Sequence, residues 1–227
     1  MLAVAPHVHI AFIGGTAIVL DTRADRYRRL PSALAAALRD VEALSYERNR
    51  RESARLDPRH DAAIIALRAH GVLVDAHAGQ ALARAAPSVV SHSALDAQSS
   101  AGAHSPTAIR IWWALLAARR SLRRRGLHAT LAQVGARGRR ARASDPDRAA
   151  RHARRFEAVR AWYPAPRGCL ADSIALHAAM SRAGVSCDLV IGVRDAPFAA
   201  HCWVEADGVL LNDTLDHVGE LTPILRL

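Results

Sequence analysis

Cys169, His201 and Asp213, all within the last 59 residues of this 227-residue chain, are residue types that together perform nucleophilic chemistry. A thiolate attacks a carbonyl carbon, an imidazole takes and returns its proton, and a carboxylate fixes the imidazole tautomer. The approach to Cys169 is kept extended by Pro164 and Pro166. Gly168 allows a tight turn, and a helix is predicted from about Cys169 to Gly184, a C′ glycine. A first-turn cysteine meets unpaired N–H groups and the positive end of the helix dipole, which favour a thiolate. Position alone would suit a buried structural cysteine equally well. The catalytic reading comes from the combination with a strand histidine and a facing aspartate.

The run V-S-C-D-L-V-I-G-V (185–193) reads as a strand whose alternation puts Val185, Cys187, Leu189, Ile191 and Val193 on one face, so Cys187 is expected to be inert core. A hairpin follows, with strands Ala200–Glu205 and Val209–Asp213 around Ala206-Asp207-Gly208. A two-residue Asp207-Gly208 turn places Asp213 opposite Cys202. A three-residue turn, with Gly208 in the left-handed region, places Asp213 opposite His201, within hydrogen-bond reach. Cys202 directly follows His201 and points to the other face of the sheet, so the sulfur that meets the imidazole must come from Cys169.

These elements need a scaffold. At the N-terminus, His9–Phe12 and Ala17–Asp21 read as a hairpin around Gly14-Gly15, with Arg26–Leu30 as a third strand. One helix opens at Pro31-Ser32. Another opens at Asp57-Pro58, carries Ile64 and Leu67, and stops at Gly71. Residues 77–104, rich in Ala, Ser and His, read as a linker. A long helix follows Ser105-Pro106 and ends at Gly126, with Ile109, Trp112, Trp113 and Leu116 on one face. The tryptophan pair is expected to be core. The stretch 135–142 reads as a solvated loop, and a last helix before the site runs from about Pro146 to Trp162.

Half the residues (51%) are apolar in type, which supports a folded protein, and no apolar run approaches the length of a membrane span. Three cysteines and an N-terminus without a basic start argue against a disulfide framework and a secretory signal, and place the chain in the cytoplasm. The formal net charge is +10, and every basic residue is Arg. Residues 110–160 hold fifteen Arg against Asp145, Asp147 and Glu157. That cluster suits nucleic acid, but the total absence of Lys marks a composition bias over solvated helix faces, so no nucleic-acid partner is expected. No metal ligand set or cofactor is expected either.

The order of a helix-start Cys, a strand His and an Asp on the next strand resembles the transglutaminase-like fold. The stretches C-L-A-D-S-I-A-L, R-A-G-V-S-C-D-L-V-I-G-V-R, P-F-A-A-H-C-W-V-E and D-G-V-L-L-N-D resemble, more closely, the peptidase part of lasso-peptide B proteins. That family commonly has Ala where this chain has Cys202. The N-terminal G-T-A-I-V-L-D-T-R-A-D-R-Y-R-R-L-P is similar to the hairpin of precursor-recognition domains, themselves similar to the small quinone-cofactor chaperone fold.

The resemblance implies an α+β chain: a small winged-helix-like recognition domain (1–76) of a three-stranded sheet plus helices, a linker (77–104), and a transglutaminase-like, papain-like peptidase domain (105–227). It implies leader cleavage from a ribosomal precursor by Cys169, His201 and Asp213. Ring closure would fall to a partner ATP-dependent cyclase resembling asparagine synthetases, through which any ATP dependence would enter. The leader would add as a strand beside Arg26–Leu30, lined by Tyr27, Leu30, Ile64 and Leu67. Oxyanion donors would be the Cys169 backbone N–H and a second donor, Trp162 or Tyr163. An acyltransferase using the same triad and a winged-helix nucleic-acid-binding regulator are the alternative readings.

Overall fold

A computed structural model describes residues 2–48, 58–75, 77–80, 82, 84–96, 106–138 and 145–227. The chain divides into two compact units, residues 1–85 with 195–198, and residues 86–194 with 199–227.

In the first unit, β1 (Leu2–Val4), β2 (Val8–Ile13), β3 (Thr16–Asp21) and β4 (Arg26–Leu30) precede α1 (Ser32–Arg48). A 3-10 turn (Pro58–His60) leads into α2 (Asp61–Ala69), and β5 (Leu73–Asp75) closes the unit. β2, β3 and β4 form an antiparallel meander with β4 at its edge, while β1 pairs with β5. The first hairpin turns where expected, with Gly14 at φ 56°, and α2 stops at Gly71, φ 69°. Both positions lie in the left-handed region that Gly enters without a Cβ penalty. Asp57, expected as a helix cap, lies outside the described residues.

Leu30 (6% exposed), Ile64 (8%) and Leu67 (0%) are buried in this unit's core with Leu38, Val41 and Leu73. They therefore serve as core rather than as an open lining. The face of α2 that carries Ile64 and Leu67 packs inward, while its neighbour Ile65 is exposed. Tyr27 remains partly exposed on β4.

The second unit starts inside the stretch expected to be a linker. β6 (His92–Ser93) pairs in parallel with β9 (Val209–Leu210), and a 3-10 turn (Ala94–Asp96) follows it. Small residues suffice there because the slot is narrow: Ser93 and Ala94 are buried, and the Ser93 hydroxyl donates to the Asp213 carbonyl at 2.6 Å. Next come α3 (Pro106–Gly138), α4 (Pro146–Arg160), α5 (Cys169–Arg182), β7 (Asp188–Arg194), β8 (Ala199–Ala206), β9, α6 (Leu215–Gly219) and β10 (Thr222–Arg226). The sheet order is β10-β7-β8-β9-β6. The architecture is α+β, as expected.

Gly126 (φ 75°, ψ 177°) does not end α3 but breaks it into two helical stretches, the second of which extends through the start of the expected 135–142 loop. Trp112 and Trp113 are 41% and 65% exposed, contrary to expectation. Both faces of α3 are apolar in sequence. The buried one is Ala108, Ile111, Ala114, Leu115 and Ala118, whose small residues let α3 approach α5 closely.

Gly192 on β7 shows how tightly the sheet is packed. A Cβ there would lie 2.5 Å from the Trp203 ring, which is fully buried and donates Nε1–H to Glu205 at 2.6 Å. A buried indole has no free path away from that clash. Gly192→Ala is expected to lower stability by about 1–3 kcal/mol, read as a lower Tm and an earlier denaturant midpoint.

Candidate active site

α5 starts at Cys169, on an N-cap Gly168 with extended backbone (φ −149°, ψ 111°). Glycine provides no side-chain cap, and an ion network holds the approach instead. Asp172, one turn into α5, is buried at 6% exposure, as is Arg160 at 2%. Arg160 Nε donates to Asp172 Oδ2 at 2.9 Å, and the Gly168 N–H reaches the same oxygen at 3.1 Å. Arg160 also donates to the Ala165 carbonyl at 3.0 Å, Arg119 donates to the Pro166 carbonyl, and Arg119 lies 3.4 Å from Asp172 Oδ1. One buried carboxylate and two guanidinium groups thus pin residues 165–168 and the first turn of the helix. Sequence reading passed over Asp172 and Arg160 because each looks like an ordinary helix-surface charge; only their burial distinguishes them.

The hairpin uses the two-residue turn. Ala206 pairs with Val209, and Asp207 (φ 45°) and Gly208 (φ 80°) both take the positive φ of a type I′ connection. The three-residue register is therefore not the one adopted. Asp213 still reaches His201, because β9 ends at Leu210 and the chain bends away from the ladder. Asn212 closes the gap: its Oδ1 accepts the Val204 N–H and its Nδ2 donates to Ser173 Oγ, both at 2.8 Å. Ser173 Oγ–H in turn donates to the Cys202 carbonyl at 2.8 Å. The start of α5 thus occupies the edge of β8 that β9 has vacated.

His201 Nε2 is hydrogen-bonded to Asp213 Oδ2, and the imidazole is also hydrogen-bonded to the Cys169 thiol. Asp213 Oδ1 accepts from the Thr214 N–H at 2.8 Å and pairs with His217 Nδ1 at 3.0 Å. Cys169 is exposed, whereas Cys187 and Cys202 are buried. The Cys169 thiol is held below the ordinary thiol range, first by its hydrogen bond to His201 against an opposing effect of burial. The charge of His201 and the backbone N–H groups of Cys202 and Leu170 add to this. Burial works against a charged His201, but its bonds to Asp213 and Cys169 outweigh that and push it up to about 9. Burial likewise opposes the Asp213 carboxylate, and the donors from His201, Thr214 and His217 hold it low. Burial, with Asp188 nearby, pushes Cys187 up to about 12, and burial raises Cys202 as well. Both shifts favour the thiolate–imidazolium form of the pair.

Trp162 is 69% exposed just beyond α4. The Tyr163 ring has the Arg119 and Arg160 guanidinium groups 5.7 and 5.5 Å from its centroid and lies edge-on to Trp112. Neither is among the groups hydrogen-bonded to the Cys169 sulfur, where the backbone donors are Leu170 and Cys202. Sequence reading missed His217 and Asn212; the recurrence of His four residues after Asp213 was the available signal.

Among the described residues, no helix is long and apolar enough to cross a membrane. A relative among curated proteins, the microcin J25-processing protein McjB of Escherichia coli, is 37% identical over 59 residues, covering 26% of this chain and 28% of that protein. The chain therefore spans a little over a quarter of that relative's length. No solved structure matches significantly. The family described as the transglutaminase-like superfamily matches residues 112–226, which hold α4, α5, the five-stranded sheet apart from β6, and most of α3. By that match, over half its length, the chain belongs to the transglutaminase-like superfamily.

Proposed function

We propose that this chain is a cysteine peptidase that cuts the leader from a lasso-peptide precursor, with Cys169 as nucleophile, His201 as acid–base group and Asp213 as its orienting carboxylate. The hydrogen-bonded chain from the Cys169 thiol through His201 to Asp213 carries the reading. The partial likeness to a microcin-processing protein supports the pathway.

The thiolate attacks the carbonyl carbon at the leader–core junction, forming a C–S bond. His201 gives its proton to the leaving core amine as the C–N bond breaks. Water, with His201 now as base, then hydrolyses the thioester to a leader carboxylate and a free thiol. The Cys169 backbone N–H and the Cys202 N–H, which already faces the sulfur, are the oxyanion donors. The leader adds as a strand beside the edge strand β4, near Tyr27, and a partner ATP-dependent cyclase uses the freed amine.

Purified precursor incubated with the enzyme is expected to yield two fragments, the leader ending in a free carboxylate by mass spectrometry. Cys169→Ala and His201→Ala are expected to yield none. Cleavage retained by either variant removes the triad. A leader joined to an added amine, in place of the carboxylate, would make the chain an acyltransferase.

A further inference from the structure

The carboxylate of Asp213 is shared between two imidazoles. His201 on β8 holds Oδ2 and His217 on α6 pairs with Oδ1, and the two rings are 4.4 Å apart between centroids. One ligating atom from each of the three residues lies within 4.8 Å of the others. His217 is half-exposed, with 52% side-chain exposure, whereas His201 and Asp213 are at 19% and 11%. The cluster is therefore open on one side and fixed on the other. Two imidazole nitrogens and one carboxylate oxygen, with the fourth position open to solvent, is a donor set that Zn²⁺ takes at about 2.0–2.2 Å per bond.

We propose that His201, Asp213 and His217 form a zinc-binding site that shuts the thiolate centre reversibly. Tetrahedral bonding requires ligand atoms about 3.3–3.5 Å apart. The half-exposed His217, on a five-residue helix, is the member free to close that distance by side-chain rotation. Asp213 is already anchored by the Thr214 N–H, and Ser93 holds its backbone carbonyl. His201 would turn Nε2 to the metal and keep its other nitrogen toward Cys169, the outer partner that a metal-bound imidazole ordinarily needs. Zinc on Nε2 separates His201 from Asp213 and stops it from carrying the proton that a leaving amine takes. This inhibitory consequence rests on the proposed peptidase reading; the binding itself does not.

Because a thiolate also binds zinc, the decisive titration uses Cys169→Ala. Calorimetric titration of ZnCl₂ into that full-length variant is expected to show one site. Adding His217→Ala to it is expected to weaken that site at least tenfold, with unchanged circular dichroism reporting an intact fold. Absence of a site in Cys169→Ala, or equal affinity with and without His217, overturns the proposal. Both results leave the peptidase reading standing, since neither variant is asked to cut anything. In the wild-type enzyme, zinc is expected to block cleavage and a chelator to restore it, and His217→Ala, measured against its own zinc-free rate, to need at least tenfold more zinc for the same fractional block; equal sensitivity of the two enzymes also counts against the site.

Discussion

Asp172→Ala is expected to lower the unfolding free energy by about 3–5 kcal/mol, the loss that follows when one partner of a buried ion pair is removed and the other charge stays behind. The charge left behind is Arg160, which is 2% exposed. The Gly168 N–H would lose its acceptor in the same step, and the fixed approach through Ala165 and Pro166 would loosen. Equilibrium denaturation should show the earlier midpoint. Exposed pairs such as Arg68–Asp75 provide the control: at 49% and 52% side-chain exposure, breaking that bridge should cost less than about 1 kcal/mol. An equal cost for both would mean that the Asp172 network is not holding the first turn of α5.

Asp213→Asn is expected to reduce kcat for leader cleavage by about 10³–10⁴-fold, the scale seen when a triad carboxylate becomes an amide and the imidazole tautomer is wrong. The pH profile gives a second signature. His201 is a base with a raised pKa, so it holds its proton below about 9 and loses it as pH rises through that value. Wild-type activity should therefore fall on the alkaline side near pH 9, where the leaving amine no longer finds a proton donor. In Asp213→Asn the alkaline fall should move down toward the ~6.5 of an ordinary imidazole. An unchanged alkaline limb would mean that Asp213 does not support the charge on His201.

That Cys169, His201 and Asp213 come together was legible because the elements that carry them obey short-range rules. A glycine before an apolar helix places Cys169 at a helix start, and strict alternation separates the Cys202 side chain from His201. The edge strand β4 and the first hairpin were legible for the same reason, since turn glycines and strand patterns are local. The details that failed are those decided by packing. The hairpin turn took two residues, and Asp213 reached His201 through a bend that Asn212 stabilises by replacing ladder hydrogen bonds. No strand-register argument contains that substitution. α3 has two apolar faces, and the choice between them was made by how closely small residues let α5 approach, leaving Trp112 and Trp113 outside. The Ser93 segment looked like a linker because a two-residue parallel strand has almost no pattern of its own.

The rate of Cys169 alkylation with iodoacetamide as a function of pH, followed by mass spectrometry of the folded protein, reads whether His201 sustains a thiolate at Cys169. The wild-type rate should stay high well below the ~8.5 midpoint of an ordinary thiol, and in His201→Ala the midpoint should return to that ordinary value. A wild-type midpoint already at ~8.5 and unmoved by His201→Ala would mean that His201 does not hold Cys169 as a thiolate.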